Sequence, residues 1–134
     1  MEALNLWEKD GAMLTRVSAA VLALFAASLL ATTVEAHPTL KSSLPPAEST
    51  AAAPKEIRLS FSEGVIVKFS SVELKDQAGK KIATGKLATD PKDQKQLIVP
   101  LQDPLPTGTY TVTWNVVSVD THRVNGTYSF KVER

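Results

Sequence analysis

The sequence contains no cysteine, and its only two methionines, Met1 and Met13, stand near the beginning. The absence of cysteine excludes disulfide bonds, zinc–thiolate sites and thiol catalysis. From residue 37 onward there is no sulfur-containing side chain, so a metal bound in that part of the chain would need nitrogen and oxygen ligands. A domain without disulfides must rely on its hydrophobic core for stability.

A strong excess of charge of one sign is also lacking. The chain has 15 basic and 14 acidic residues, and residues 37–134 keep 13 and 10 of them, a net charge of about +3. No basic run is long enough for a nucleic-acid recognition patch, and Lys80-Lys81 is interpreted as a solvated turn. A G-x-S-x-G motif and a glycine-rich phosphate loop are absent as well. We therefore expect no nucleic-acid partner, and hydrolysis finds no support.

The first 36 residues have the pattern of a secretory signal peptide. A short basic start at residues 13–16 is followed by an apolar run over residues 17–34. Small residues then stand at the positions that a signal peptidase reads, and the last of them is Ala36. We predict cleavage between Ala36 and His37.

The alternative is an uncleaved membrane anchor. The apolar run is near the lower length limit for spanning a bilayer, and Thr32 and Glu35 dilute its end. Residues 1–12 add acidic residues ahead of a good start at Met13, and we interpret them as a harmless extension or a mis-chosen start. The mature part, residues 37–134, is then a single small domain that is not embedded in a membrane.

Residues 37–134 show the alternating hydrophobic pattern of β-strands and no helical periodicity over ten residues. The clearest strands are Ile57, Leu59 and Phe61, and the long run of residues 108–117. About seven short strands at regular spacing predict an all-β sandwich or Greek-key barrel. Further strands are predicted at residues 37–43, at 65–69 continued by 72–74 past a bulge or bend near Ser70-Ser71, and at 81–83, 97–101 and 127–132. Loops are predicted at 47–54 and 88–95, and turns at 62–64 and 124–126.

The long strand carries the first candidate metal ligands. Tyr110, Val112, Trp114 and Val116 share one parity and are predicted to face the core, which gives Trp114 a packing role. Ser118, Asp120 and His122 continue that parity, so a carboxylate and an imidazole are predicted to point the same way. The pair alone is weak evidence, because a lone histidine at a strand end is usually a hydrogen-bonded surface residue.

His37 strengthens the metal hypothesis. Once Ala36 is removed, His37 would present a free α-amine and an imidazole, which chelate one ion through the amine nitrogen and Nδ1. The α-amine has a pKa near 8, so a metal can displace its proton at neutral pH. Pro38 has no amide N–H to offer, so the remaining ligands must come from the fold, and Asp120 with His122 fit. The alternative is that cleavage leaves a histidine at the terminus by accident.

Three nitrogens and one carboxylate oxygen in a tetragonal arrangement favour Cu(II), with zinc as the competitor. Glu63, in the predicted turn, is either an outer ligand or amine partner, or simply a turn carboxylate. With both histidines of the mature part, His37 and His122, assigned to one site, no base remains for a Ser–His hydrolase. The residues therefore predict one Cu(II) ion per mature chain.

Three motifs resemble the CopC copper-resistance family: HPTLKSS at residues 37–43, LSFSEG at 59–64, and GTYTVTWNVVSVDTH at 108–122 continued by GTYSF at 126–130. The resemblance implies an immunoglobulin-like, seven-stranded Greek-key β-barrel in the bacterial periplasm. It also implies a Cu(II) site formed by His37, Asp120 and His122. Some members add a nearby glutamate, which corresponds to Glu63 here.

Better-known members of that family carry a methionine-rich Cu(I) loop, whereas residues 37–134 contain no methionine, so the chain resembles the form with the Cu(II) site alone. The resemblance also implies a CopD-type inner-membrane copper permease as a partner on a separate chain.

Three functions are compatible with the sequence. The first is a periplasmic, non-enzymatic Cu(II)-binding protein that sequesters copper or hands it to an inner-membrane transporter. The second is a copper mono-oxygenase with a histidine brace, against which Asp120 would shield the position where oxygen must bind. The third is a metal-free sandwich that serves as an interaction module. The first is the expectation.

Overall fold

Nine β-strands and one short 3₁₀ helix form the regular structure of residues 37–134, the part of the chain that this computed structural model describes. The predictions about the signal peptide and residues 1–36 lie outside the described residues. The strands are β1 (Leu40–Leu44), β2 (Thr50–Ala51), β3 (Glu56–Phe61), β4 (Ser71–Lys75), β5 (Lys81–Ile82), β6 (Ala88–Asp90), β7 (Asp93–Pro100), β8 (Gly108–Val117) and β9 (Arg123–Val132), and the 3₁₀ helix is η1 (Val67–Phe69).

The strands form two sheets. One has four strands in the order β1-β3-β7-β6, and the other has five in the order β2-β9-β8-β4-β5. All pairings are antiparallel except that of β2 with β9. The chain passes repeatedly from one sheet to the other, as in a Greek-key sandwich. The predicted all-β fold is confirmed. Seven of the nine strands have three or more residues, and the strand predicted at residues 81–83 is present as the two-residue β5.

The core lies between the two sheets and is made of alternating residues. Every second side chain is buried along β3, in the second half of β7 and along most of β8, because successive side chains of a strand point to opposite faces. Each fully buried aliphatic or aromatic side chain contributes about 1.5–3 kcal/mol. The most completely buried apolar side chains are Ile57, Leu59, Leu74, Leu97, Val99, Val112, Val116, Phe130 and Val132.

Strand β8 occupies the predicted residues and is central to its sheet. It pairs with β9 over ten positions on one side and with β4 on the other. Its predicted buried face is confirmed, and Trp114 packs in the core at 9% exposure. The indole lies over Gly126 of β9, where a Cβ atom would come within 2.2 Å of the ring. Glycine at this position is therefore required by the packing of Trp114.

The strand predicted over residues 65–69 is wrong. Val65 makes only an isolated bridge to Ser118, and the next residues form η1. The Ser70 side chain donates to the Ile66 carbonyl at 2.8 Å, and the Ser70 backbone N–H donates to Val67 at 3.0 Å. These local bonds compete with a sheet ladder and close the chain into a turn. Phe69 is 56% exposed.

Three loop or turn predictions are also wrong. Residues 124–126 lie inside β9 because Gly126 serves the packing of Trp114 and not a reversal. The predicted loop at 47–54 contains β2, which is held only by tertiary pairing with β9. The predicted loop at 88–95 contains β6 and the start of β7, which form a hairpin.

The structure contains no helix in residues 37–134 that is long and apolar enough to cross a membrane.

Candidate metal centre

A tight turn over residues 118–122 joins β8 to β9 and carries Asp120 and His122. The backbone N–H of Ser118 donates to the carbonyl of His122 at 2.9 Å, and that of Thr121 donates to the carbonyl of Ser118 at 2.9 Å. Thr121 has a φ of 71°, a left-handed conformation that an extended strand does not contain. The extended strand therefore ends at Ser118, and its predicted continuation through Asp120 and His122 is wrong. The turn, and not a continued strand, brings Asp120 and His122 together.

The two side chains meet within this turn. Nδ1 of His122 lies 3.1 Å from Oδ2 of Asp120, and both side chains are partly exposed. The other carboxylate oxygen, Oδ1, accepts a short hydrogen bond from the hydroxyl of Ser118. The pKa of Asp120 is lowered to about 2, chiefly by this bond and then by the neighbouring His122. Asp120 is consequently an ionised carboxylate at any physiological pH.

A bend at residues 62–64 connects the turn to the beginning of the domain. The backbone N–H of Thr39 donates to the Ser62 hydroxyl at 2.9 Å, and the Ser62 N–H donates back to the Thr39 carbonyl at 2.9 Å. On the other side of the bend, the Val119 N–H donates to the Gly64 carbonyl at 2.9 Å. The predicted turn is confirmed as a bend, and it ties the N-terminal segment and the 118–122 turn to one end of the sandwich.

All four predicted site residues lie at this end. The His37 ring, at the exposed start of the domain, approaches the His122 ring edge-on with centroids 5.1 Å apart. The Glu63 side chain approaches Asp120 and contributes the smallest of the effects that lower its pKa. The structure thus brings His37, Glu63, Asp120 and His122 together, while their role as ligands stays a prediction.

The four side chains do not form a ready-made cage. Within residues 37–134, no group of three or more histidine, cysteine, aspartate or glutamate side chains is spaced to hold an ion. The predicted chelate also includes the α-amine of His37, which would exist only after cleavage between Ala36 and His37.

One atom of this region has an unsatisfied bonding capacity. Nδ1 of His122 is buried and has no hydrogen-bond partner, because its approach to Asp120 has the distance but not the direction of a hydrogen bond. A buried polar atom without a partner is costly and calls for an explanation. Ligand atoms that share one ion at about 2.0–2.2 Å lie roughly 3 Å apart, which matches the 3.1 Å between Nδ1 and Oδ2. The pair therefore fits a metal ion.

The donor set also indicates which ions fit. Imidazole nitrogens suit Cu(II) and Zn(II), and a single carboxylate oxygen can complete either coordination sphere. Sulfur donors are absent from residues 37–134, so the soft ligands that select Cu(I) are not available.

A match to a protein-family model covers most of the described part. The CopC domain model matches residues 40–133, which is more than half of the chain. The chain belongs to the CopC family. The three sequence motifs that suggested this resemblance lie in β1, β3 and β8–β9 and in the residues that flank them, and the family assignment confirms that prediction.

Relatives of this CopC-family chain agree over nearly their whole length. Protein YobA of Escherichia coli K12 is 45% identical over 113 residues, which are 84% of this chain and 91% of YobA. The crystal structure of PcoC, a methionine-rich copper resistance protein from Escherichia coli, matches with a TM-score of 0.66 at 43% identity, over 73% of this chain and all of PcoC. The structure of CopC from Methylosinus trichosporium OB3b matches with a TM-score of 0.67 at 33% identity, over 72% of this chain and 94% of that one.

A more distant relative is much longer than this chain. The copper transport protein CutJ of Bacillus subtilis is 29% identical over 80 residues, which make up 60% of this chain but 15% of CutJ.

Two residues that support the centre were not predicted from the sequence. Ser118 was predicted only to share the strand face of the core residues, whereas its hydroxyl contacts Asp120. Ser62 was interpreted only as a turn residue, and it holds Thr39 through two hydrogen bonds. The signal that was available is the placement of a polar residue at a position predicted to be buried, since such a residue needs a specific partner.

Proposed function

We propose that this CopC-family chain is a periplasmic Cu(II)-binding protein that sequesters copper or hands it to an inner-membrane copper transporter. One Cu(II) ion is bound per mature chain by His37, Asp120 and His122, with Glu63 as a ligand or as a partner of the N-terminal amine. The protein acts in copper resistance or homeostasis and is not an enzyme.

The observation that carries this proposal is the unpartnered Nδ1 of His122, 3.1 Å from a carboxylate oxygen that is ionised at neutral pH. The His37 ring lies beside it and can add one nitrogen, and cleavage before His37 would add a second. The related PcoC is a copper resistance protein, which supports copper as the ion over zinc. Copper is then the cargo of this protein.

The decisive experiment compares two versions of residues 37–134. One begins at His37, and the other retains Ala36 before it and therefore lacks the free amine on histidine. We expect the first to bind one Cu(II) with a tetragonal, nitrogen-rich electron paramagnetic resonance (EPR) spectrum, and the second to bind far more weakly. Equal binding by both would remove the His37 amine from the site. Absence of binding by both would overturn the copper function and leave a metal-free interaction module.

Delivery to a transporter is supported by the relation to CutJ, in which a region similar to this chain is part of a copper transport protein. We expect the copper-loaded protein to supply a CopD-type permease in reconstituted vesicles faster than the same concentration of chelated copper does. Equal rates would contradict hand-off and leave sequestration as the role.

Location and processing are tested on the protein produced by living cells. We expect it in the periplasmic fraction with His37 as its first residue, as read by N-terminal sequencing. A different first residue would contradict the predicted chelate.

Oxygen-dependent oxidation of a polysaccharide by the copper-loaded protein would contradict the non-enzymatic assignment and support a mono-oxygenase.

A further inference from the structure

Ser118 is a polar residue that is completely buried. It is 0% exposed, and the other fully buried large side chains of the described part are all hydrophobic. It stands immediately after β8, and its backbone forms an isolated antiparallel bridge with Val65. A hydroxyl in such a place has a cost unless its hydrogen bonds are satisfied.

The Ser118 hydroxyl bonds to both candidate ligand residues of the turn. It donates to Oδ1 of Asp120 and accepts from the backbone N–H of His122 at 3.2 Å. The Ser118 backbone N–H also donates to the carbonyl of His122 at 2.9 Å. A single buried residue therefore fixes the carboxylate of Asp120 and the backbone that carries the imidazole.

We propose that Ser118 is a positioning residue of the copper site, which makes Asp120 a ligand through one oxygen only. This inference rests on the proposed function. With Oδ1 held by the Ser118 hydroxyl, Oδ2 is the oxygen that faces Nδ1 of His122. This hydrogen bond favours the orientation of the carboxylate in which Oδ2 alone is presented to the ion.

Single-oxygen binding has a consequence for selectivity. Calcium ions take six to eight oxygen ligands and frequently use both oxygens of a carboxylate, whereas Cu(II) fits a tetragonal set of nitrogen and oxygen donors. A carboxylate with one oxygen already bonded suits the second kind of ion. Holding the ligands in place before the metal arrives also lowers the entropic cost of binding.

The direct test is Ser118→Ala in the protein that begins at His37, with Ser129→Ala as the matched control. Ser129 lies on β9 and its hydroxyl bonds to Thr111, not to a site residue. We expect Ser118→Ala to weaken Cu(II) binding about 10- to 100-fold in competition titrations, as the loss of an outer-shell partner does, and to change the copper hyperfine splitting in the EPR spectrum. Ser129→Ala should leave both unchanged.

Ser118→Thr separates positioning from simple packing. It keeps the hydroxyl but adds a methyl group in a fully buried place, so it is expected to lower stability while it preserves the copper spectrum. If Ser118 only closed the turn, the copper EPR spectrum would change in both Ser118→Ala and Ser118→Thr, in proportion to the stability that each variant loses. That result would overturn the proposal.

A measurement on the unmodified protein does not depend on whether a variant folds. Isotope-labelled aspartate and infrared difference spectra, with and without Cu(II), report whether the bound carboxylate uses one oxygen or two. We expect the wide separation of carboxylate stretches that marks single-oxygen binding, and a two-oxygen signature would overturn the proposal.

If the unmodified protein bound no Cu(II), the proposed function would fail first. If it bound Cu(II) and Ser118→Ala bound equally well with the same spectrum, only the role of Ser118 would fail.

Discussion

The two halves of the candidate centre are anchored to the fold very differently. Asp120 and His122 close a hairpin whose strands pair over ten positions and whose inner face is core. His37 is connected through Thr39, which is held by two hydrogen bonds to Ser62 before β1 begins. One half is therefore fixed by the folding of the domain. The other is held by a short tether and, in our proposal, completed by proteolysis.

This difference indicates that copper affinity and folding stability can be changed separately. Substitutions in the 118–122 turn should change the affinity for Cu(II). Substitutions in the paired strands β8 and β9, called the ladder below, should change the free energy of unfolding.

The largest effect is expected for Asp120→Asn, which keeps the shape of the side chain and removes its charge. Cu(II) affinity should fall on the order of 100-fold or more, because loss of an outer-shell partner alone typically costs 10- to 100-fold. Asp103→Asn is the matched control, since Asp103 is an exposed carboxylate before the start of β8, at the opposite end of that strand. Competition titration of both variants measures the contrast. Equal affinities would show that Asp120 is not a ligand.

Gly126→Ala should lower the folding stability of the domain without acting on the 118–122 turn. The new Cβ atom would meet the Trp114 ring at 2.2 Å, so the core must shift, at a cost of about 1–3 kcal/mol in the free energy of unfolding. Urea denaturation followed by the fluorescence of Trp114 measures it. Asn125→Ala, the exposed neighbour on β9, is the control and should change stability far less. Unchanged stability in Gly126→Ala would mean that the indole has room to move.

The ladder also predicts how stability depends on alkaline pH. Burial raises the pKa of Tyr128 to about 12 and also raises that of Tyr110, because the phenolate is poorly solvated in the core. In the unfolded chain tyrosine ionises near pH 10. The contribution of these tyrosines to stability should therefore be constant below about pH 10 and fall as the pH rises toward 12, since only the unfolded state then loses the proton.

The absorbance of tyrosinate follows this directly. No ionisation should appear in the folded protein until the pH is well above 10, and Tyr128→Phe should make the alkaline loss of stability smaller. A midpoint near 10 in the folded protein would contradict the burial of these two phenols.

The smallest effect is expected on the outer face of the ladder. The hydroxyls of Thr113 and Thr127 face each other at 3.4 Å across β8 and β9 on the exposed side. Thr113→Ala should cost about 0.2–1 kcal/mol, the range for a cross-strand pair, and leave Cu(II) affinity unchanged. Chemical denaturation and copper titration of the same sample check both statements. A clear change in copper affinity would show that the ladder and the turn are coupled.

Much of the fold could be predicted because it depends on the period-two pattern. The buried face of β8 and the strand at Ile57, Leu59 and Phe61 are confirmed, since alternating burial is visible in the residues themselves. The two-residue strand β2 was missed because Thr50–Ala51 has no pattern of its own and is a strand only through its partner. The Asn125–Gly126 pair was misinterpreted because its glycine makes room for a distant side chain.

The candidate centre was predictable in its members but not in its construction. Asp120 and His122 were placed side by side by a parity that in fact ends at Ser118, and Thr121, in the left-handed region, turns the chain there. The contact of Ser118 with Asp120 depends on that turn and could not follow from a strand pattern. The approach of Glu63 to Asp120 joins residues far apart in sequence, and only the folded sandwich brings them together.

The direction of β9 has a practical consequence. This strand begins beside the turn that carries Asp120 and His122 and runs away from it as far as Val132, about 30 Å at the usual rise per residue. A fluorophore or an affinity handle attached beyond Val132 would therefore stand remote from the proposed copper site, whereas an addition ahead of His37 would remove the amine that the proposed chelate needs. Molecules immobilised by that far end would all present the candidate metal centre to the surrounding solution.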